Sequence, residues 1–141
     1  MIDATHVPTT GRVQLALNVT DIDLAVGFYR KLFGTEPAKL RDGYAHFAID
    51  EPPLKLVLIE GAEGGTINHL GVEVDGTDDV AAAARRLEAD GVSTEEEAAV
   101  ACCYAVQDKV WATGPDGERW EYYAVLADTE GLEKAEQPAC C

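Results

Sequence analysis

One pattern occurs twice in this chain, and it restricts the available folds. Residues 13 to 19 alternate, with Val13, Leu15, Leu17 and Val19 on one side and Gln14, Ala16 and Asn18 on the other, as a strand does. A helix is predicted from about residue 22 to 33, with Leu24, Ala25, Phe28, Tyr29 and Leu32 at helical spacing. Thr20 or Asp21 caps it, and Gly34 ends it. Three short strands are expected at about 36–41, 43–49 and 54–60, with Asp42-Gly43 as a hairpin signal and Glu51-Pro52-Pro53 as a break. After a linker at Gly61 to Gly65 the pattern restarts. Ile67 to Val74 reads as a strand, and Thr77-Asp78-Asp79 caps an alanine-rich helix over about 78–90, ended by Gly91. Strands at about 97–102, 104–112 and 118–125 complete the second set.

The expected fold class is therefore α+β, built from two β-α-β-β-β modules at about 11–60 and 66–127, with an acidic tail at 128–141. Leu15 to Val19 aligns with Leu70 to Val74, and Gly34 with Gly91. That register sets Gln14 opposite His69, each one residue before an aligned leucine and on the opposite strand face. The two side chains can meet across a pseudo-twofold axis.

Charge excludes some partners. The formal net charge is -15, which repels nucleic acid and anionic membrane surfaces. No apolar run approaches the ~18 residues of a spanning helix, and Met1 to His6 is neither basic nor apolar enough for a secretory signal. The expected location is the cytoplasm, where thiols stay reduced. The four cysteines form two adjacent pairs, Cys102-Cys103 and Cys140-Cys141. Neighbouring Cα atoms lie ~3.8 Å apart, which strains a disulfide between them. Two readings of Cys102-Cys103 stand, as small core residues or as soft ligands. A structural zinc site lacks four ligands at suitable spacing. His69 reads as a satisfied strand histidine or as a ligand, and Glu121 as a solvated carboxylate or as a ligand. The Gly114-Pro115-Asp116-Gly117 turn places Glu121 on a hairpin behind Cys102-Cys103.

The doubled layout, the ligand-type residue on the first strand of each half and the ending Gly-Pro-Asp-Gly-Glu-Arg-Trp-Glu resemble the vicinal oxygen chelate superfamily. That superfamily includes glyoxalase I, extradiol dioxygenases and fosfomycin-resistance proteins. The resemblance covers about residues 11 to 127 and implies cupped mixed sheets around a divalent metal. The Cys-Cys-Tyr stretch ahead of the hairpin resembles the organoarsenical-lyase and cadmium-induced branch. By position, the resemblance implies Gln14, His69 and Glu121 as metal ligands and Cys102 and Cys103 as arsenic-binding thiols. It implies Fe(II) as cofactor, O2 as co-substrate and a trivalent organoarsenical as substrate, with arsenite as product. A homodimer paired through sheet edges is the assembly such folds often adopt. Gln14 departs from the two-histidine, one-carboxylate triad of the dioxygenases, and a neutral amide oxygen is the weaker donor.

Two alternatives use the same residues. A glyoxalase-like isomerase or thiol transferase would add Glu60 as a ligand and need no O2. A sequestration protein would hold Cd(II) or As(III) on its cysteine pairs without turnover. Tyr104, Lys109 and Trp111 are candidates for shaping the pocket, and Cys140-Cys141 for an accessory role.

Overall fold

The computed structural model describes residues 12–102 and 104–128, with Cys102 and Asp128 described by their backbone alone. His6, Cys103, Cys140, Cys141 and the tail beyond Asp128 lie outside the described residues. The chain divides into two compact units, one of residues 13–71 and one whose described residues are Arg12 and 72–128. The divide falls within a strand, after Gly71, and not at the glycine linker that separates the two sequence repeats.

The first unit contains β1 (Arg12–Val19) apart from its first residue, α1 (Ile22–Phe33), β2 (Lys39–Arg41), β3 (Tyr44–Ile49), β4 (Leu54–Glu60) and most of β5 (Thr66–Glu73). Its strands are ordered β2-β3-β4-β1-β5. β1 runs parallel to β4, with Leu15 opposite Leu56, and β3 is antiparallel to β4, with Phe47 also opposite Leu56. The strand expected at 36–41 is shortened to three residues. Pro37 has no amide to donate, and pairing begins only after it.

Asp21 starts α1. Its backbone is extended and its Oδ1 accepts from the Leu24 amide at 3.1 Å. Gly34, at φ 63°, closes the helix in the left-handed region and donates to the Arg30 carbonyl. The buried side of the helix differs from the expected one. Val26 enters the core of Ala45, Phe47, Ile49, Leu56 and Leu58, with Ile22, Ala25, Tyr29 and Phe33 beside it. Leu24, Phe28 and Leu32 are exposed. The helix is apolar around most of its circumference, so spacing alone does not select the face that meets the sheet. Each fully buried Leu or Phe of this core contributes roughly 1.5–3 kcal/mol. Asp21→Ala should cost ~1 kcal/mol, read as a lower urea midpoint with an unchanged slope.

The second unit contains the last residues of β5, α2 (Thr77–Ala89), β6 (Thr94–Cys102), β7 (Ala105–Thr113) and β8 (Arg119–Asp128). β7 lies between β6 and β8, antiparallel to both. α2 packs Val80, Ala83 and Ala84 against Val74, Val110 and Ala124. Its cap is shifted from the expected Thr77-Asp78-Asp79. Gly76 is the cap, Thr77 is the first helical residue, and Asp79 Oδ2 accepts from the Gly76 amide at 3.2 Å. β6 begins at Thr94, earlier than expected, because two of its glutamates find partners. Glu95 pairs with Arg119 at 3.2 Å, and Glu97 accepts from the Trp111 indole at 3.2 Å. At the Gly114–Gly117 turn the Gly114 amide donates to the Glu118 carbonyl at 2.7 Å, and Gly117 adopts φ 89°.

Candidate functional site

In the first unit, β1 and β5 bring Gln14 and His69 together as their register predicts. Both are buried, and Gln14 Nε2 lies 3.2 Å from His69 Nε2. A chain of polar groups behind the ring fixes its tautomer. The Thr66 hydroxyl donates to the Glu63 carbonyl at 2.6 Å. Its oxygen therefore accepts from Asn18 Nδ2, at 2.8 Å. That orients the Asn18 amide so that its Oδ1 accepts from Asn68 Nδ2, at 3.0 Å. Asn68 in turn presents Oδ1 to His69 Nδ1 at 2.8 Å, so Nδ1 carries the proton. In the neutral ring Nε2 is then left with its lone pair, which accepts from the Gln14 amide.

This is the arrangement a metal-ligating histidine needs, with one nitrogen held by a neighbour and the other available as donor. A half-turn of the Gln14 amide exchanges Nε2 for Oε1 and presents a second neutral donor at the same place. Sequence spacing predicted the Gln14–His69 meeting. It did not reveal Asn18, Asn68 and Thr66, whose roles depend on β1 and β5 being neighbours. Asn68→Ala should weaken metal binding ~10–100-fold, measured by competition against a chelator, with little change in the melting transition.

In the second unit, Glu121 is buried on β8 and pairs with the equally buried Lys109 at 2.9 Å. Trp111 lies opposite Glu121 in the β7–β8 register. The Lys109 ammonium sits 5.3 Å and the Arg119 guanidinium 4.7 Å from the centre of the Trp111 ring. Lys109 is thus the charge partner that Glu121 meets inside the unit. The strand neighbour of Glu121, Trp120, is partly exposed, on the other face of β8. A cleft of about 560 Å³ lies beside Trp111, bounded by Glu95, Thr113 and Arg119. Lys109 was legible only as a pocket candidate. Its pairing with Glu121 follows from the diagonal placement of the two residues on adjacent strands.

Cys102 ends β6, with its backbone paired to Ala105. Tyr104, next to Ala105, holds a left-handed conformation at φ 64°. The thiol of Cys102 and all of Cys103 lie outside the described residues. Glu60 serves the fold: it is exposed, and its Oε2 accepts from the Ile22 amide at 3.0 Å at the start of α1. His46 lies 3.5 Å from the Tyr44 hydroxyl.

Within the first unit, the amide oxygen of Gln14 and the imidazole nitrogen of His69 are donors of the type that a divalent first-row ion takes. Among the described residues no three His, Cys, Asp or Glu side chains gather, so a site made only of those types is absent there. No helix among the described residues is long and apolar enough to cross a membrane.

Comparison with known proteins places this chain in a family. The model of the Glyoxalase/Bleomycin resistance protein/Dioxygenase superfamily matches residues 11–122. A Thermomonospora curvata protein named trivalent organoarsenical cleaving enzyme is 61% identical over 132 residues, covering 92% of this chain and 87% of that one. The cadmium-induced protein CadI of Mycobacterium tuberculosis is 60% identical over 120 residues, 84% of this chain and 79% of that one. Among solved structures, the Mn(II)-bound glyoxalase of Novosphingobium aromaticivorans superposes with a TM-score of 0.63 at 24% identity, over 92% of this chain and 44% of that one. An extradiol ring-cleaving dioxygenase from B. fuscum gives 0.64 at 19% identity, over 96% of this chain and 38% of that one. Both likenesses concern the fold, and the chain spans less than half of either structure. The chain belongs to the glyoxalase/bleomycin resistance protein/dioxygenase superfamily, in the branch that holds the trivalent organoarsenical cleaving enzymes and the cadmium-induced proteins.

Proposed function

We propose that this protein is an Fe(II)-dependent lyase that cleaves the carbon–arsenic bond of trivalent organoarsenicals, consuming O2 and releasing arsenite. The observation that carries this reading is the 61% identity, over 92% of the chain, with a protein named for that cleavage. The adjacent thiols Cys102 and Cys103 support the choice of substrate. Methylarsonous acid has two exchangeable hydroxyls and one As–C bond. Two thiols attack through sulfur, each thiol proton passing to a departing hydroxyl, so that two As–S bonds replace two As–O bonds, two waters leave and the organic group stays in place. Soft sulfur suits the soft arsenic atom.

Gln14, His69 and Glu121 are the proposed iron ligands. Bound Fe(II) would supply the activation of O2 that oxidises the carbon and frees arsenite. The protein's own part is positional. Asn68 holds the His69 proton on Nδ1 and keeps Nε2 a donor. Lys109 supplies the buried counter-charge of Glu121, 2.9 Å away. The two thiolates tether the substrate and convert an encounter into a fixed approach.

The identity with a cadmium-induced protein favours a second reading, in which the cysteine pairs sequester Cd(II) or As(III). Product counting separates the two. Iron-loaded protein mixed with a hundredfold excess of methylarsonous acid should release arsenite through many turnovers. A yield that stops at one arsenite or fewer per chain would support sequestration and overturn the lyase.

A further inference from the structure

The pairing of β6 with β7 changes register midway. It runs from Thr94 opposite Ala112 to Glu97 opposite Lys109, then resumes with Val100 opposite Gln107 and ends with Cys102 opposite Ala105. Two residues of β6, Ala98 and Ala99, therefore face one residue of β7, Asp108. This is a β-bulge. Ala99 takes φ 51° there, a conformation that a residue with a Cβ seldom adopts without support.

Asp108 supplies that support. Its Oδ1 accepts from the Ala99 amide at 2.7 Å, and its Oδ2 accepts from the Thr77 hydroxyl at 2.5 Å. Thr77 is the first residue of α2. One carboxylate thus ties the bulge to a helix start.

The extra residue has a consequence for the thiols. In a ladder without it, position 102 would fall opposite residue 104. With it, position 102 falls opposite Ala105. Ala105 shares its strand face with Gln107, Lys109 and Trp111, which are all buried. Trp111 lies opposite Glu121, and Lys109 pairs with it. A slip of one residue moves every position of a strand to the other face. Without the bulge, position 102 would be carried to the face of Asp108 and Val110, which packs under α2.

We infer that Asp108 is a positioning residue: by clamping the bulge at Ala99 it sets the register that brings position 102 onto the face of the β6-β7-β8 sheet carrying Glu121. The inference rests on the proposed role of Cys102 in holding arsenic. It adds a requirement that adjacent thiols alone do not meet, because chelation needs only two neighbouring sulfurs, whereas cleavage also needs position 102 on the face that carries Glu121.

The test uses full-length protein in which Cys140→Ser and Cys141→Ser leave one thiol pair. Asp108→Ala, Asp108→Asn and the double variant Ala99→Gly/Asp108→Ala are compared by three readouts. These are hydrogen exchange at the Ala99 amide, chelation of phenylarsine oxide, and arsenite release from methylarsonous acid by the iron-loaded protein. Asp108→Ala should lose protection at Ala99 and release arsenite ~100-fold more slowly, while chelating phenylarsine oxide within ~3-fold of the parent. Asp108→Asn keeps an acceptor for the Ala99 amide and should stay within ~5-fold on every readout. Glycine tolerates the left-handed conformation, so Ala99→Gly should recover at least ~10-fold of the lost rate. If Asp108→Ala does not fold, Thr77→Val carries the same expectations at about tenfold.

Arsenite release at the parental rate by Asp108→Ala, with chelation lost in Cys102→Ser, overturns the inference and leaves the lyase reading intact. A parent that chelates but never releases arsenite overturns the lyase reading. In that case unchanged protection of the Ala99 amide in Asp108→Ala separately overturns the clamp.

Discussion

Replacing Cys102 by serine is expected to stop arsenite release, with a fall on the order of 10³-fold or more, while iron content and the melting transition stay near parental values. A serine hydroxyl is not ionised at neutral pH and is a hard donor, so it cannot replace the thiolate on trivalent arsenic. The remaining thiol, Cys103, would hold the substrate by one bond, about which the arsenical rotates and from which it exchanges. The loss falls on turnover because the tether is what fixes the organic group. Arsenite counted by ion chromatography gives the rate, and phenylarsine oxide titration gives the state of the chelate. Parental turnover by Cys102→Ser would refute the thiol role, whatever the metal does.

Glu121→Ala should lose iron and activity together and also unfold more readily. The second effect has its own cause. Glu121 and Lys109 are buried and paired at 2.9 Å. Removing the carboxylate takes this counter-charge from an ammonium in a medium that solvates it poorly, at a cost of roughly 3–5 kcal/mol. For a chain of this size that lowers the melting temperature by about 10–17 °C. Adding Lys109→Met removes the buried positive charge and should recover most of the stability without restoring iron or turnover. The two variants together separate the ion pair from the metal site. Full iron stoichiometry in the double variant would count against Glu121 as a ligand. Unchanged stability in Glu121→Ala would count against the buried pair.

Much of this arrangement was legible in the sequence where local rules decide it. Asp21 and Gly34 mark the ends of α1 because capping chemistry is local. The alternation along residues 13 to 19, matched to its repeat, predicted that Gln14 and His69 meet, and they do. The face of α1 was not legible, since Leu24, Phe28 and Leu32 are as apolar as the residues that meet the core. The bulge at Ala98 and Ala99 was also hidden, because an extra residue in the small apolar stretch Ala98-Ala99-Val100-Ala101 leaves no trace in hydrophobic spacing. Asn18, Asn68 and Thr66 look like ordinary polar strand residues until β1 and β5 lie side by side. Lys109 reads in the sequence only as a candidate for shaping the pocket. Only the β7–β8 register shows it beside Glu121, where an isolated buried charge would be costly.

Thiol-held organic arsenic is expected to be cleaved at the expense of O2 in the presence of Fe(II). An oxygen electrode tests it most directly, with iron-loaded protein, methylarsonous acid added last, and arsenite counted in the same vessel. O2 uptake should begin with the arsenical, proceed in fixed proportion to arsenite, and cease in Cys102→Ser. Sustained arsenite release under strict anaerobiosis, or arsenical binding with neither O2 uptake nor arsenite, would contradict it.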